Sequence, residues 1–151
     1  MADYLATIEW RADGGGFLQG KYSRAHRWRF DGGAVVPASA SPGNVPAPYS
    51  DPAGVDPEEA LVAAVSSCHM LWFLHLARDA GVDVASYTDD ARGTLGRGGD
   101  GKVAITRVTL RPRLEFGGGA PDPALLERLH HEAHERCFIA NSLKAEVVVE
   151  A

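Results

Sequence analysis

The stretch Asp56-Pro57-Glu58-Glu59-Ala60-Leu61-Val62-Ala63-Ala64-Val65-Ser66-Ser67-Cys68-His69, running on as Met70-Leu71-Trp72-Phe73-Leu74-His75-Leu76-Ala77 to Ala80 and Gly81, decides how this chain folds. Asp56 has the side chain of an N-cap, Pro57 suits the first helical position, and Glu59 stands three residues on to close a capping box. Gly81 supplies the stop, so a helix of about 24 residues is predicted between them. Over residues 61–77 it is apolar on nearly every face, the mark of a helix surrounded by protein rather than lying on a surface. One small domain does not easily surround such a helix. A second copy of the chain is therefore expected to cover it.

Working outward, residues 4–11 are rich in β-formers and stop at Asp13-Gly14-Gly15-Gly16, a strand and a turn. Residues 17–30 carry Tyr22, Trp28 and Phe30 among Lys21, Arg24, Arg27 and Arg29 and meet Asp31-Gly32-Gly33, which reads as strand, turn, strand with 34–40 as the return. Four prolines and two glycines forbid regular structure over 41–55. A loop of about 15 residues is long enough to suspect function. Beyond the helix, 84–95 and 103–116 read as strands of a hairpin closed by Gly96-Arg97-Gly98-Gly99-Asp100-Gly101. The alternation changes phase between Ile105 and Val108, which predicts a bulge near Thr106-Arg107, and Pro112 predicts an edge position. Asp122-Pro123 opens a second helix, amphipathic through Leu125, Leu126, Leu129 and Ala133, and 144–150 closes the chain as an alternating strand. This order is α+β.

The chain has 151 residues and 45% hydrophobic content, so one domain over 1–151 with a real core is expected. A net charge of −5 with scattered arginines offers no basic field for a nucleic-acid backbone. The start Met1-Ala2-Asp3-Tyr4 lacks a basic region with an apolar stretch behind it, and no apolar run approaches the ~20 residues of a membrane span. A soluble, cytoplasmic protein without membrane attachment is the expectation. Two cysteines, Cys68 and Cys137, are too few for a secreted disulfide framework in a domain this large. Composition alone favours two buried, inert thiols, and the sharper reading is a redox pair.

A working cysteine reacts as thiolate and needs a nearby cation, a helix N-terminus or a hydrogen-bond donor. Cys137 begins Cys-Phe-Ile-Ala-Asn-Ser-Leu after the second helix, where a short extra turn would offer such an N-terminus. Cys68 has no cation near it in sequence, so its activator must come from elsewhere in the fold, and the strand region holding Arg24, Arg27 and Arg29 is the main supplier. A sulfenic acid on Cys68 would condense with a second thiol. The rival constellation is a metal site from Cys68, His69, His130, His131, His134 and Cys137, for which no established ligand spacing is present. The bland readings stand beside these. The histidines suit an exposed polar helix face, Arg27 and Arg29 a solvated strand face, Glu58 a carboxylate favoured by the helix dipole, and Trp72 and Phe73 the core.

The residues from Asp56 to His69 resemble the signature helix of the OsmC/Ohr family, with a carboxylate after proline and a cysteine ten residues beyond it. The stretch Cys137-Phe138-Ile139-Ala140-Asn141-Ser142-Leu143-Lys144-Ala145-Glu146-Val147 is similar to that family's second cysteine motif and final strand. The resemblance implies an OsmC-like fold, with antiparallel sheets and long central helices in an intertwined homodimer. It also implies a thiol-dependent peroxidase for organic hydroperoxides that needs no metal, flavin or haem and is recharged by an external thiol or dithiol. Cys68 would be the peroxidatic cysteine, Cys137 the resolving one, Glu58 the carboxylate that orients a catalytic arginine, and Arg24 that arginine, with Arg27 in reserve. His69, Cys137-Phe138 and the Pro-rich loop depart from the family pattern. An OsmC-like binding protein with idle cysteines is the alternative. Ten residues of straight helix put Glu58 about 15 Å along the axis from Cys68, so either the helix starts late or bends, or Glu58 acts through the loop or across the dimer.

Overall fold

The computed structural model describes all residues, 1–151, as two compact units, Met1–Ala60 and Leu61–Ala151. The N-terminal unit is built on a three-stranded antiparallel sheet of β1 (Ala6–Glu9), β2 (His26–Phe30) and β3 (Val35–Ala38) in that order. The strand expected from residue 17 begins only at His26. Phe17–Gln19 form a single 3-10 turn. Gly16 and Gly20, at φ +110° and +75°, turn the backbone on either side of it. Further on, the Arg24 N–H donates to the Tyr49 carbonyl rather than to a strand. Residues 41–55 form turns, as their prolines and glycines dictate. The sheet leaves Leu5, Ile8, Phe17, Leu18 and Val35 at least half exposed. Only Ala38, Ser39 and Ser50 are buried in this unit, so it has almost no core of its own.

Helix α1 runs Pro57–Asp79, and both arms of the capping box form. Asp56 Oδ1 accepts from the Glu59 N–H at 2.8 Å, and Glu59 Oε1 accepts from the Asp56 N–H at 2.9 Å. Gly81, at φ +75°, ends the helix, while the N–H of Val82 reaches back to the Ala77 carbonyl. The helix therefore does not start late.

In the C-terminal unit each predicted hairpin strand is broken in two, giving β4 (Val84–Asp89), β5 (Arg92–Arg97), β6 (Val103–Leu110) and β7 (Pro112–Phe116). Asp89 causes part of the break, because its Oδ1 takes the Arg111 N–H at 2.6 Å, and Pro112 has no N–H to give. β4 pairs with β7 alone, which makes Pro112 an edge residue, and β5-β6-β8 form a second sheet. The bulge falls as expected. Thr94 pairs with Arg107 and Leu95 with Ile105, leaving Thr106 extra. Helix α2 (Pro123–Arg136) is capped by Asp122, a short α3 (Phe138–Asn141) follows, and β8 (Glu146–Val149) lies parallel to β6.

Two buried clusters hold this unit together. Phe73, Leu76 and Ala77 of α1 pack on Leu129 and Ala133 of α2, and Val65 of α1 packs on Val108 and Leu110 of β6. Helix and sheet approach so closely at Gly93 that a Cβ there would stand 2.5 Å from Cγ2 of Val62, a β-branched side chain with little freedom to move. Gly93→Ala should cost about 1–3 kcal/mol through overpacking, read as a lower denaturant midpoint with unchanged slope, whereas alanine at Gly99, which meets nothing within 4 Å, should change little.

Candidate active site

The all-round apolar character of α1 puts Cys68 on a helix whose neighbouring residues point in different directions, and this decides what the thiol meets. Cys68 is half-buried, Cys137 is buried, and both are free thiols. They are neighbours, Cys68 lying close enough to act on the Cys137 thiol. The short extra turn after α2 exists, and Cys137 caps it, its Sγ accepting from the Ala140 N–H at 3.4 Å. Burial, more than any other cause, pushes the Cys137 thiol up to about 11, and the nearby Cys68 adds to this while the Ala140 N–H works against it. The arrangement suits a thiol held protonated until its neighbour reacts.

Arg24 lies in the N-terminal unit on its own loop, Nη1 donating to the carbonyls of Tyr22 (2.6 Å) and Gly20 (3.1 Å). Its guanidinium sits 3.5 Å over the Tyr22 ring, a cation–π contact that fixes the plane of the group. Nε and Nη2 make no hydrogen bond within the chain. Around it is a cavity of about 530 Å³ walled by Trp10, Phe17, Tyr22 and His26. Trp10 and Phe17 contact at 5.7 Å and Phe17 and Tyr22 at 4.9 Å between ring centroids. His26 is held by two hydrogen bonds, Nδ1 to the Arg24 carbonyl at 2.7 Å and Nε2 from the Trp28 indole at 3.0 Å. Arg27 and Arg29 both grip the Glu9 carboxylate at 2.7 Å, a solvated strand face as expected, and they hold that carboxyl below its ordinary range, Arg29 more than Arg27.

Glu58, in the first turn of α1, is not paired with Arg24. Its Oε1 has a long 3.5 Å contact with the Asn44 amide, and its Oε2 is buried with no partner. A buried carboxylate oxygen without a donor is costly.

The histidines depart from the expected exposed face. His69 and His130 are 1% and 4% exposed, and His69 Nε2 meets His130 Nδ1 at 3.0 Å. Their rings are parallel within 4° at 5.3 Å, too far for face contact, so they meet through these nitrogens. The face of His130 stacks on Phe73 at 4.3 Å. His131 is exposed and His134 half-buried, and no three His, Cys, Asp or Glu side chains converge as a metal-ligand set. Helical spacing carried the signal that would have found His130. Leu126, Leu129, His130 and Ala133 form one stripe, as do Val65, His69 and Phe73 on α1.

Burial lowers both rings from about 6.5 to about 4, for His69 with further lowering by His130 and His134 and for His130 with Asp89 working the other way. The unfolded chain takes up these protons near pH 6.5 while the folded rings resist until about 4. The stability they contribute is therefore present above pH 6.5 and lost as pH falls toward 4. Denaturant midpoints measured from pH 7.5 to 4.5 should fall by the equivalent of a few kcal/mol, and the His69→Leu/His130→Leu variant should lose most of that slope.

The profile of the family described as OsmC-like protein matches residues 50–151. An OsmC-like protein of unknown function from Vibrio cholerae shares 52% identity and a TM-score of 0.96, with 99% of each chain covered. The organic hydroperoxide resistance protein OhrB of Bacillus subtilis has the same fold at 21% identity, TM-score 0.68 and 97% coverage of both chains. A predicted redox protein described as an organic hydroperoxide resistance protein OsmC, from Legionella pneumophila, matches at 18% identity and TM-score 0.67, over 99% of this chain and 96% of its own. No curated protein sequence matches. With a family profile matched over residues 50–151 and a 52% identical relative matched over 99% of its length, this chain belongs to the OsmC-like protein family.

Proposed function

We propose that the chain is a cysteine-based peroxidase that reduces organic hydroperoxides and protects against oxidative stress. The observation that carries this reading is the meeting of Cys68 and Cys137, a half-exposed thiol beside a buried one. The Cys68 thiolate attacks the outer peroxide oxygen. The O–O bond breaks, and with one proton the products are the alcohol and Cys68–S–OH. Cys137 gives up its proton and attacks the Cys68 sulfur, so that Cys68–S–S–Cys137 and water form. An external thiol or dithiol then reduces the disulfide by exchange.

Arg24 is the cation for this chemistry, since its Nε and Nη2 donors are open while Arg27 is engaged with Glu9. Glu58 orients it, and the unpartnered Oε2 is the group that gains from the pairing. The axial distance from Glu58 to Cys68, about 15 Å, favours action across a homodimer. Burial supports the dimer: α1 is apolar along most of its length yet largely uncovered within one chain, and Leu71 and the nearby Phe138 are 61% and 65% exposed. A second reading, a small-ligand binding protein with idle cysteines, rests on the aromatic cavity around Arg24.

Free-thiol titration before and after one equivalent of an organic hydroperoxide separates the two, because only the peroxidase loses two thiols per chain. Cys68→Ser should abolish peroxide reduction, and Cys137→Ser should complete one turnover and leave a sulfenate that a dimedone-type probe traps. Arg24→Ala should slow the attack roughly tenfold to a hundredfold, the loss of a charge-assisted contact of about 1.5–3 kcal/mol, while Arg27→Ala should not. Equal loss of the first turnover in both cysteine variants would reverse their roles. In sedimentation at micromolar concentration the protein should run at twice 16.1 kDa, and a folded monomer would remove the dimer from the mechanism.

A further inference from the structure

We propose that the His69–His130 hydrogen bond is a positioning device that holds Cys68 on Cys137 for disulfide formation. The proposal rests on the thiol-redox reading above. His69 follows Cys68 directly on α1, so any rotation or slide of that helix that breaks the bond also carries Cys68 away. On α2, His130 and Cys137 are seven residues apart and drift only about 20° around the axis. Cys137 is tied to the same helix end, its N–H on the His134 carbonyl at 3.3 Å. The bond and the thiol contact thus join the same two segments at two points, and together they fix how those segments cross.

Packing alone does not explain why imidazoles occupy these positions. Phe73, Leu76, Ala77, Leu129 and Ala133 already supply the apolar contact between α1 and α2. Two buried imidazoles instead carry desolvation, and His69 Nδ1 is left without any partner. What they add is direction: a 3.0 Å bond between rings, one of them stacked on Phe73. A disulfide demands such direction, because its sulfurs must approach to about 2.05 Å with the Cβ atoms about 3.5–4.5 Å apart. A misplacement of about 1 Å can cost a hundredfold in a reaction between held groups. The step concerned is Cys68–S–OH + Cys137–SH → Cys68–S–S–Cys137 + H2O, its oxidising equivalents coming from the hydroperoxide. Attack on peroxide by Cys68 does not need the pin.

The test compares His69→Leu/His130→Leu, His130→Asn and His130→Gln with the unaltered protein. Replacing both partners of a buried hydrogen bond by apolar groups of similar shape can leave stability nearly unchanged, and thermal unfolding reports whether it does. Asn places its amide where the His130 Nδ1 stands, and Gln carries the same amide one methylene further. In single-turnover experiments the attack rate should stay within about twofold in all variants, while decay of the dimedone-reactive sulfenate slows roughly ten- to a hundredfold in the leucine pair and in His130→Gln. His130→Asn should recover most of the rate. The same order should appear in glutathione redox buffers without any peroxide: a tenfold lower effective thiol concentration shifts the Cys68–Cys137 potential by about 30 mV.

Closure and potential unchanged in the folded leucine pair, or equal in His130→Asn and His130→Gln, would overturn the proposal. Absence of peroxide reduction by the unaltered protein, with the glutathione series ordered as expected, would instead sink the peroxidase reading and leave the positioning role standing.

Discussion

Helix α1 is apolar along most of its length, and the C-terminal unit is organised around the one side of it that a single chain covers. Its two ends are fixed by local chemistry, the capping box at Asp56 and Glu59 and the left-handed Gly81, so the helix is defined before any packing is considered. One stretch of it then serves each buried cluster, Val65 against β6 and Phe73, Leu76 and Ala77 against α2. Cys68 and His69 fall between these two anchors. A helix clamped on both sides of Cys68 fixes the backbone from which the thiol projects and leaves only the side chain free to turn.

Local rules were legible in the sequence wherever a side chain acts on its own backbone. The capping box, the stop at Gly81, the Asp122 cap and the turn begun by Cys137 all depend on contacts within a few residues, and all are present. Thr106 as the bulge was readable because a bulge reverses the phase of alternation. The division of both long strands was not readable, since it depends on Asp89 reaching the Arg111 N–H from 22 residues away. Residues 20–25 failed for a similar reason: their aromatic and basic content suits a strand, but the Arg24 N–H goes to the Tyr49 carbonyl, far along the chain, rather than to a neighbouring strand.

The site was legible in part. Two thiols, one per helix, are visible in any reading, and their meeting is a tertiary fact. The histidines were misjudged because imidazole was counted as polar, whereas their spacing places His69 with Val65 and Phe73 and His130 with Leu129 and Ala133. A neutral imidazole is an amphipathic ring, and in a buried stripe it signals a hydrogen bond that must be satisfied inside the protein.

The two thiols and the two imidazoles make opposite demands on the same small volume. Disulfide chemistry needs sulfurs that can move from contact to bonding distance, while a buried N–H···N bond tolerates little movement. The structure reconciles these by placing the rigid element one residue from the reactive one. His69 holds the backbone of α1 against α2, and Cys68, with a single rotatable side-chain bond of its own, retains the freedom to swing. Cys137, pushed up to about 11 chiefly by burial, stays a thiol and so adds no negative charge beside Cys68. In the proposed cycle its deprotonation belongs with the attack on the Cys68 sulfur, where the departing hydroxyl takes the proton as water. On the proposed reading, burial of Cys137 and partial exposure of Cys68 divide the work: the half-exposed sulfur meets the oxidant, and the buried thiol stays protonated until it attacks that sulfur.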